Sequence, residues 1–376
     1  MDLMQMEIIL IASVVAGSCA LIGSFLVLRK MAMLSDAISH AILFGIVITF
    51  FYTRSLASFP MLIAATATGV LTVFLVEVLV KSRLVKEDAA IGIAFPALFS
   101  IGVILISRYA GDVHLDTDVV LLGELVFAPF DRLVIAGRDL GPRTLWLATS
   151  TAIANLVFIA LFFKELKLIV FDPALAAALG FSPAIIHYAL MTLVSATAVS
   201  SFEAVGSVLV VALMIAPPAA AYLLTDRLAL MLVLGPLIGI LSSIVGYFLA
   251  YLLDASIAGS MATVSGIIFT IVLCGAPRRG LVQQWLRLRE QRIRFAGDAL
   301  LIHLSHHAGR PEEAEESSID HIDRHLRWNE AFGRRVIAHL THHSLIRLNE
   351  RKDRLYLTDR GKKTAADRLS LNNTKL

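Results

Sequence analysis

Residues 28–43 read "LRKMAMLSDAISHAIL". Arg29 and Lys30 close one apolar run, and Asp36 and His40 lie within the next. This boundary predicts a turn at a water interface followed by a helix that carries two ionisable side chains into an apolar layer. At i and i+4 they share one helix face, about one turn apart. Ionisable groups inside a bilayer are costly, and they face a bundle interior or a water-filled path. A carboxylate oxygen beside a neutral imidazole nitrogen suits borderline divalent ions such as Mn2+, Fe2+ or Zn2+. Two such helices about a two-fold axis would supply four ligands. A structural Asp–His hydrogen bond fits the same spacing. Ser35 and Ser39 invite a hydrolytic triad, but a Ser–His–acid set is defined by geometry that no local string establishes.

Outward from this stretch the chain divides in two. Of 376 residues 57% are hydrophobic, and mean hydropathy is +0.77, far above a soluble globular chain. Residues 1–276 carry 13 Lys and Arg against 17 Asp and Glu. The remaining hundred carry 20 against 13, and they hold eight of the eleven histidines. Because a bilayer crossing takes roughly 20 apolar residues, the first part reads as an all-α polytopic membrane domain of eight or nine spans. These fall near 6–28, 37–53, 59–80, 90–108, 144–163, 184–201, 204–224, 229–251 and 257–275. The first lacks a basic start and a small-residue cleavage site, so it reads as a span and not as a cleaved signal.

Arg29/Lys30, Lys81/Arg83/Lys86, Lys164/Lys167, Arg227 and Arg278/Arg279 alternate onto one side of this arrangement. The excess of basic residues makes that side cytoplasmic, with the N-terminus outside and the tail inside. Arg132, Arg138 and Arg143 conflict with this assignment, so the 109–143 connection is expected to fold differently. Cys19 and Cys274 are both placed in spans and far apart, which argues against a disulfide. Glu77 and Lys81 read as an i,i+4 ion pair at a helix end, and His187 as an interfacial residue. Glu203, in "SSFEAVGS", reads as a solvated turn on the outer side, with lining of an outer gate as the alternative. "DVHLDTD" (112–118) reads as a polar outer loop.

In "KELKLIVFDPALAAALGFSPA" (164–184), Asp172 caps a short helix with Pro173 at its first position. Gly180 stops it. A capped helix held in a cytoplasmic loop suits docking onto a partner. No G-x-x-x-x-G-K-[ST] phosphate loop occurs in the chain, so ATP hydrolysis would belong to another subunit.

"VLRKMAMLSDAISHAILFGI" (27–46), "KEDAAIGIAF" (86–95), "FDPALAAALGF" (171–181) and "SFEAVGSVLVVALMIAPPAAAYLLTDRL" (201–228) resemble, in this order, motifs of the permease subunits of ABC importers for manganese, zinc and iron. "LLGELVF" (121–127) is looser than the corresponding string. The resemblance implies a bacterial inner-membrane permease that is not itself an enzyme. Its implied partners are a second permease subunit, an ABC ATPase and an extracytoplasmic metal-binding lipoprotein. Mn2+, Zn2+ or Fe2+ would be cargo, with no permanently bound cofactor. Asp36 and His40 would contact the ion, and Phe171, Asp172, Pro173 and Gly180 would couple to the ATPase.

Past residue 276, residues 277–294 read as a basic linker helix, 295–370 as a winged helix-turn-helix (α+β) domain and 371–376 as a tail. Helices are expected at 295–309, at 317–326 (capped by Ser317 or Ser318) and at 329–346. A hairpin around Lys352-Asp353 and a last helix follow. "LYLTDRGKKTA" is similar to the wing end of DtxR-like and MarR-like regulators. In those regulators the third helix enters the major groove, which makes Arg334 and Arg335 on that helix, and Arg351 and Lys352 in the wing, candidate DNA contacts. The acidic run "PEEAEE" (311–316) and the tether to a membrane weigh against DNA. The i,i+4 pairs His303/His307 and His339/His343 could chelate a metal. The runner-up for the whole chain is a membrane-tethered, metal-responsive transcription regulator.

Overall fold

The computed structural model describes residues 2–53, 58–109, 125–135, 138–351 and 353–373. The chain forms two compact units, residues 1–280 and 281–376. Among the described residues of the first, nine helical segments are long and apolar enough to span a bilayer.

Helices α1 (Leu3–Leu28), α2 (Met33–Thr53), α3 (Ser58–Lys81) and α4 (Glu87–Tyr109) come first. A short antiparallel hairpin, β1 (Arg132–Ile135) and β2 (Arg138–Pro142), leads into α5 (Arg143–Leu161). Helices α6 (Phe163–Phe171) and α7 (Pro173–Ala178) are short. Then come α8 (Pro183–Leu224), α9 (Leu228–Leu253) and α10 (Ile257–Gly275). These bounds match the expected spans to within a few residues. The hairpin gives one of the basic residues of the 109–143 connection, Arg132, local partners. Arg132 Nε lies 2.5 Å from Asp139 and Arg132 Nη1 lies 3.4 Å from Glu7, so its charge is answered at the Glu7 end of α1. "DVHLDTD" and the first part of "LLGELVF" lie outside the described residues.

Helix α1 is the axis of the unit and packs against α5, α8 and α9. Ile11, Ile22, Phe25 and Leu26 are fully buried along it. Lipid tails give apolar side chains no reason to leave them, so these helices associate through close backbone approach and hydrogen bonds. A Cβ on Gly23 would sit 2.1 Å from the Met214 carbonyl, and one on Gly246 would sit 2.4 Å from the Met261 Cα. Asn155 on α5 donates to Ser18 on α1 (3.0 Å) and Thr197 on α8 (2.8 Å), tying three helices together at a buried point. Cys19 is buried and Cys274 exposed, both as free thiols.

Helix α8 is interrupted at Gly206, whose φ of 77° and ψ of 165° belong to a region open essentially to glycine alone. Cys19 on α1 contacts Ser201, while Gly23, one turn further along α1, abuts Met214. Those two α8 residues would be about 20 Å apart on an uninterrupted helix, against about 6 Å for their α1 partners. The chain therefore doubles back at Gly206. His187 lies against Arg29 at the end of α1, and Ser201 against Cys19, about 14 Å in from Leu28. The reversal thus occurs within the apolar layer. Ala204, Val205 and Ser207 are buried around it. The bend that Glu203 precedes is lined by these buried neighbours.

The second unit contains α11 (Leu281–His307), α12 (Glu313–Glu316), α13 (Ile319–His325) and α14 (Glu330–His342). An antiparallel pair, β3 (Ile346–Leu348) and β4 (Leu355–Leu357), precedes α15 (Asp359–Asn373). Leu300, Leu301, Leu304, Val336, Leu340, Ile346, Leu355 and Ala365 form its core. Ser318 occupies the position before α13, but its hydroxyl makes no capping bond. Its backbone instead bridges to Arg354, adding a third short rung to the β3–β4 pair.

Candidate metal path and coupling loop

The first turn of α2 carries Asp36, and His40 stands one turn on. Leu34, Ser35, Ala37, Ile38 and Ser39 are buried around them, whereas His40 and Asp36 keep 35% and 39% of their side-chain surface exposed. The pair therefore lies on the open face of an otherwise buried helical segment. Asp36 Oδ1 and His40 Nε2 are 3.4 Å apart. Two ligand atoms about 2.1 Å from a metal and separated by a tetrahedral angle also lie about 3.4 Å apart, so this spacing fits both a direct Asp–His pair and a shared ion. The His40 ring lies 5.8 Å from the Phe95 ring and 6.5 Å from the Phe99 ring, both on α4. One flank of the pair is therefore aromatic. The serines are committed elsewhere: Ser35 Oγ donates to the Ala32 carbonyl at 2.8 Å and Ser39 Oγ to the Ser35 carbonyl at 2.9 Å. Neither hydroxyl is held by His40, which removes the geometric basis of a triad.

A second cluster lies where α1, α3 and α8 meet. Arg29 donates to His187 Nδ1. His187 Nε2 lies 2.6 Å from Glu77 Oε1. Glu77 Oε2 also accepts from Tyr188 (2.8 Å) and Lys81 (3.0 Å). A guanidinium can only donate, so Nδ1 is the accepting nitrogen and Nε2 carries the hydrogen. Burial holds the Arg29 guanidinium below its ordinary range, and Glu77 and Glu87 oppose that shift. The Glu77–Lys81 pair was legible from spacing, but the rest was not. His187, read as interfacial, is buried and bridges three helices.

The coupling segment folds as its residues dictate. Asp172 Oδ1 accepts from the Leu175 N–H at 2.9 Å, and Pro173 opens α7. Gly180 turns the chain at a φ of 87°, and the Phe181 N–H closes on the Ala176 carbonyl. Ala176 is fully buried, while Phe171, Leu175, Leu179 and Phe181 are exposed. Around one short helix this is an apolar knob. Glu203 stands three residues before Gly206.

In the second unit, Arg334 and Arg335 are exposed on α14, and Arg334 is held 2.5 Å from Glu330. Arg335 donates to the Ala331 carbonyl and lies over the Phe332 ring. Arg351 is exposed between the strands, and Lys352 lies outside the described residues. No continuous basic face results from the described side chains among these.

Residues 1–276 match the model of the ABC 3 transport family. Zinc transport system membrane protein TroD of Treponema pallidum (strain Nichols) is 46% identical over 334 residues, 89% of this chain and 91% of that protein. A match of that length cannot fit within 276 residues, so it runs on into the second unit. Manganese transport system membrane protein MntD of Bacillus subtilis (strain 168) is 49% identical over 283 residues, 75% of this chain and 96% of its own. Among solved structures, PsaBC from Streptococcus pneumoniae in complex with Fab aligns with a TM-score of 0.62 at 28% identity, covering 77% of this chain and 96% of that one. The chain belongs to the ABC 3 transport family.

Proposed function

We propose that this chain is the permease subunit of an ATP-driven importer of divalent transition-metal ions, with Mn2+, Zn2+ and Fe2+ as the cargo class. The observation that carries the reading is the Asp36–His40 pair, with donor atoms 3.4 Å apart on a half-open helix face. The pair offers two donors per chain. A second permease subunit across a two-fold axis would raise the number to four. Donors split between two subunits hold an ion only while those subunits are close, which suits conduction, where binding must be weak enough to permit release.

ATP hydrolysis belongs to a separate ATPase subunit, and an extracytoplasmic lipoprotein delivers the ion. The basic side, with Arg29 and Lys81, faces the cytoplasm. There the knob formed by Phe171, Leu175, Leu179 and Phe181 seats in the ATPase. Five residues after Ala178 the chain enters α8, and His187 stands four residues further, bound to Arg29 and Glu77. A push on α7 would therefore reach α1 and α3 through one buried imidazole. The second unit is a winged-helix regulatory module. Its order of helices, the β3–β4 hairpin and the Ser318–Arg354 bridge support that reading. The pairing of Arg334 with Glu330 favours a role other than DNA contact.

Asp36→Ala and His40→Ala are expected to lower uptake of radioactive Mn2+ or Zn2+ at least tenfold while assembly with the ATPase persists. Unchanged uptake in both variants would overturn the assignment.

A further inference from the structure

Away from the membrane path, the second unit gathers histidines and a carboxylate from three elements. His303 and His307 stand one turn apart on α11, with ring centroids 4.9 Å apart. Glu316, the last residue of α12, faces them. Its Oε2 lies 3.2 Å from His303 Nε2 and 3.1 Å from His321 Nε2 of α13. His325, one turn beyond His321, packs against both His303 (5.3 Å) and His321 (5.7 Å). One donor atom each from His303, His307 and Glu316 lie within 4.8 Å of one another.

Two features distinguish this cluster from a solvated histidine face. His303 is only 10% exposed and Glu316 only 19%. Furthermore, Glu316 Oε2 is held between His303 and His321, and the buried His307 Nδ1 has no hydrogen-bond partner among the described residues. A buried polar atom left unsatisfied costs about 1–3 kcal/mol, a cost that a metal ion shared by His307, His303 and Glu316 would relieve. By contrast, His339 and His343 pair with ring centroids 4.6 Å apart, but they form no such group with a carboxylate among the described residues.

We infer that His303, His307, Glu316 and His321 form a binding site for a borderline divalent transition-metal ion, with His325 packed behind them. Three imidazoles and one carboxylate are the donor set of Zn2+ and its neighbours, and they do not suit Mg2+ or Ca2+. Contraction of the 4.8 Å spread of the His303, His307 and Glu316 donors to about 3.4 Å would set three ligands of a tetrahedral shell, with His321, 3.1 Å from Glu316, beside them for the fourth. The ion would also fasten α11, α12 and α13 together. The site stands independently of the transport reading, since it needs no second subunit and no ATP.

The test is Co2+ titration of the purified full-length protein carrying Asp36→Ala and His40→Ala, so that the membrane pair does not report. One equivalent should bind with the intense visible absorption of a four- or five-coordinate N/O site. Adding His303→Gln and His307→Gln should weaken binding at least tenfold and bleach that band, whereas His339→Gln with His343→Gln should leave both unchanged. Equal binding in the two sets of variants would overturn the site. X-ray absorption at the zinc edge of the zinc-loaded parent protein provides a check free of any folding defect in the variants. Two or three imidazoles with one carboxylate are expected, and a shell of water oxygens alone would overturn the inference.

Discussion

The cost of ionisable groups in an apolar layer falls on single residues, and this chain meets it in two ways. Asp36 and His40 keep part of their surface open on the α2 face. Glu77 is instead surrounded by donors from Tyr188, Lys81 and His187. Removing its carboxylate would leave the buried His187 N–H and the Arg29 charge without their anion. Glu77→Ala is therefore expected to lower stability by about 1–3 kcal/mol, read as an earlier midpoint in thermal unfolding in detergent, and Glu77→Gln by less. The Asp36–His40 pair was legible because both members lie in one local string. The Arg29–His187–Glu77 cluster was not, because its members come from three helices and only packing unites them.

Periodicity and capping chemistry located most elements, since apolar length is the strongest signal a bilayer imposes. The short helix α7 was legible to the residue, through Asp172, Pro173 and Gly180. The turn expected near Glu203 is present as the break in α8 at Gly206. Hydropathy marks where a helix breaks, and only the contacts of Ser201 with Cys19 and of Met214 with Gly23 show how far in the break lies. The exposed leucines of α7 carry the prediction at this scale. Leu175→Asp with Leu179→Asp puts charge on the apolar knob without touching the buried Ala176. Co-purification of the ATPase subunit should drop at least tenfold, with the permease itself still folded by size-exclusion chromatography.

For the whole molecule, the two units rest on different physics. The membrane unit depends on close helix contacts and buried polar links, and the second unit on a small conventional core. If the second unit is the regulatory module proposed above, a chain ending at Gly280 is expected to retain uptake and to change its response to cytosolic metal, measured as initial rates in metal-loaded and metal-depleted cells. The second unit should also respond to acid. His303 and His339 are both held below the ordinary value of 6.5, chiefly by burial, so the unfolded chain binds their protons first. Stability is then full above about pH 6.5 and falls as pH drops from there toward the folded-state values. Limited proteolysis at pH 7.5 and pH 5.5 should show faster cleavage beyond residue 280 at the lower pH. The acidic run 311–316 shows best what sequence alone withheld. It read as a feature opposing DNA, yet its last residue, Glu316, draws His303 and His321 together.

The direction of the Arg29–His187–Glu77 chain has one more consequence. Every proton in it has a fixed owner: the guanidinium keeps its own, Nε2 holds the imidazole's, and the carboxylate only accepts. A relay of protons needs a site that can take one from one side and yield another to the other, and His187 has its single vacant nitrogen blocked by a group that does not give its proton up. The buried network that joins the helices is therefore a clasp of fixed polarity that ties them together without passing a proton along.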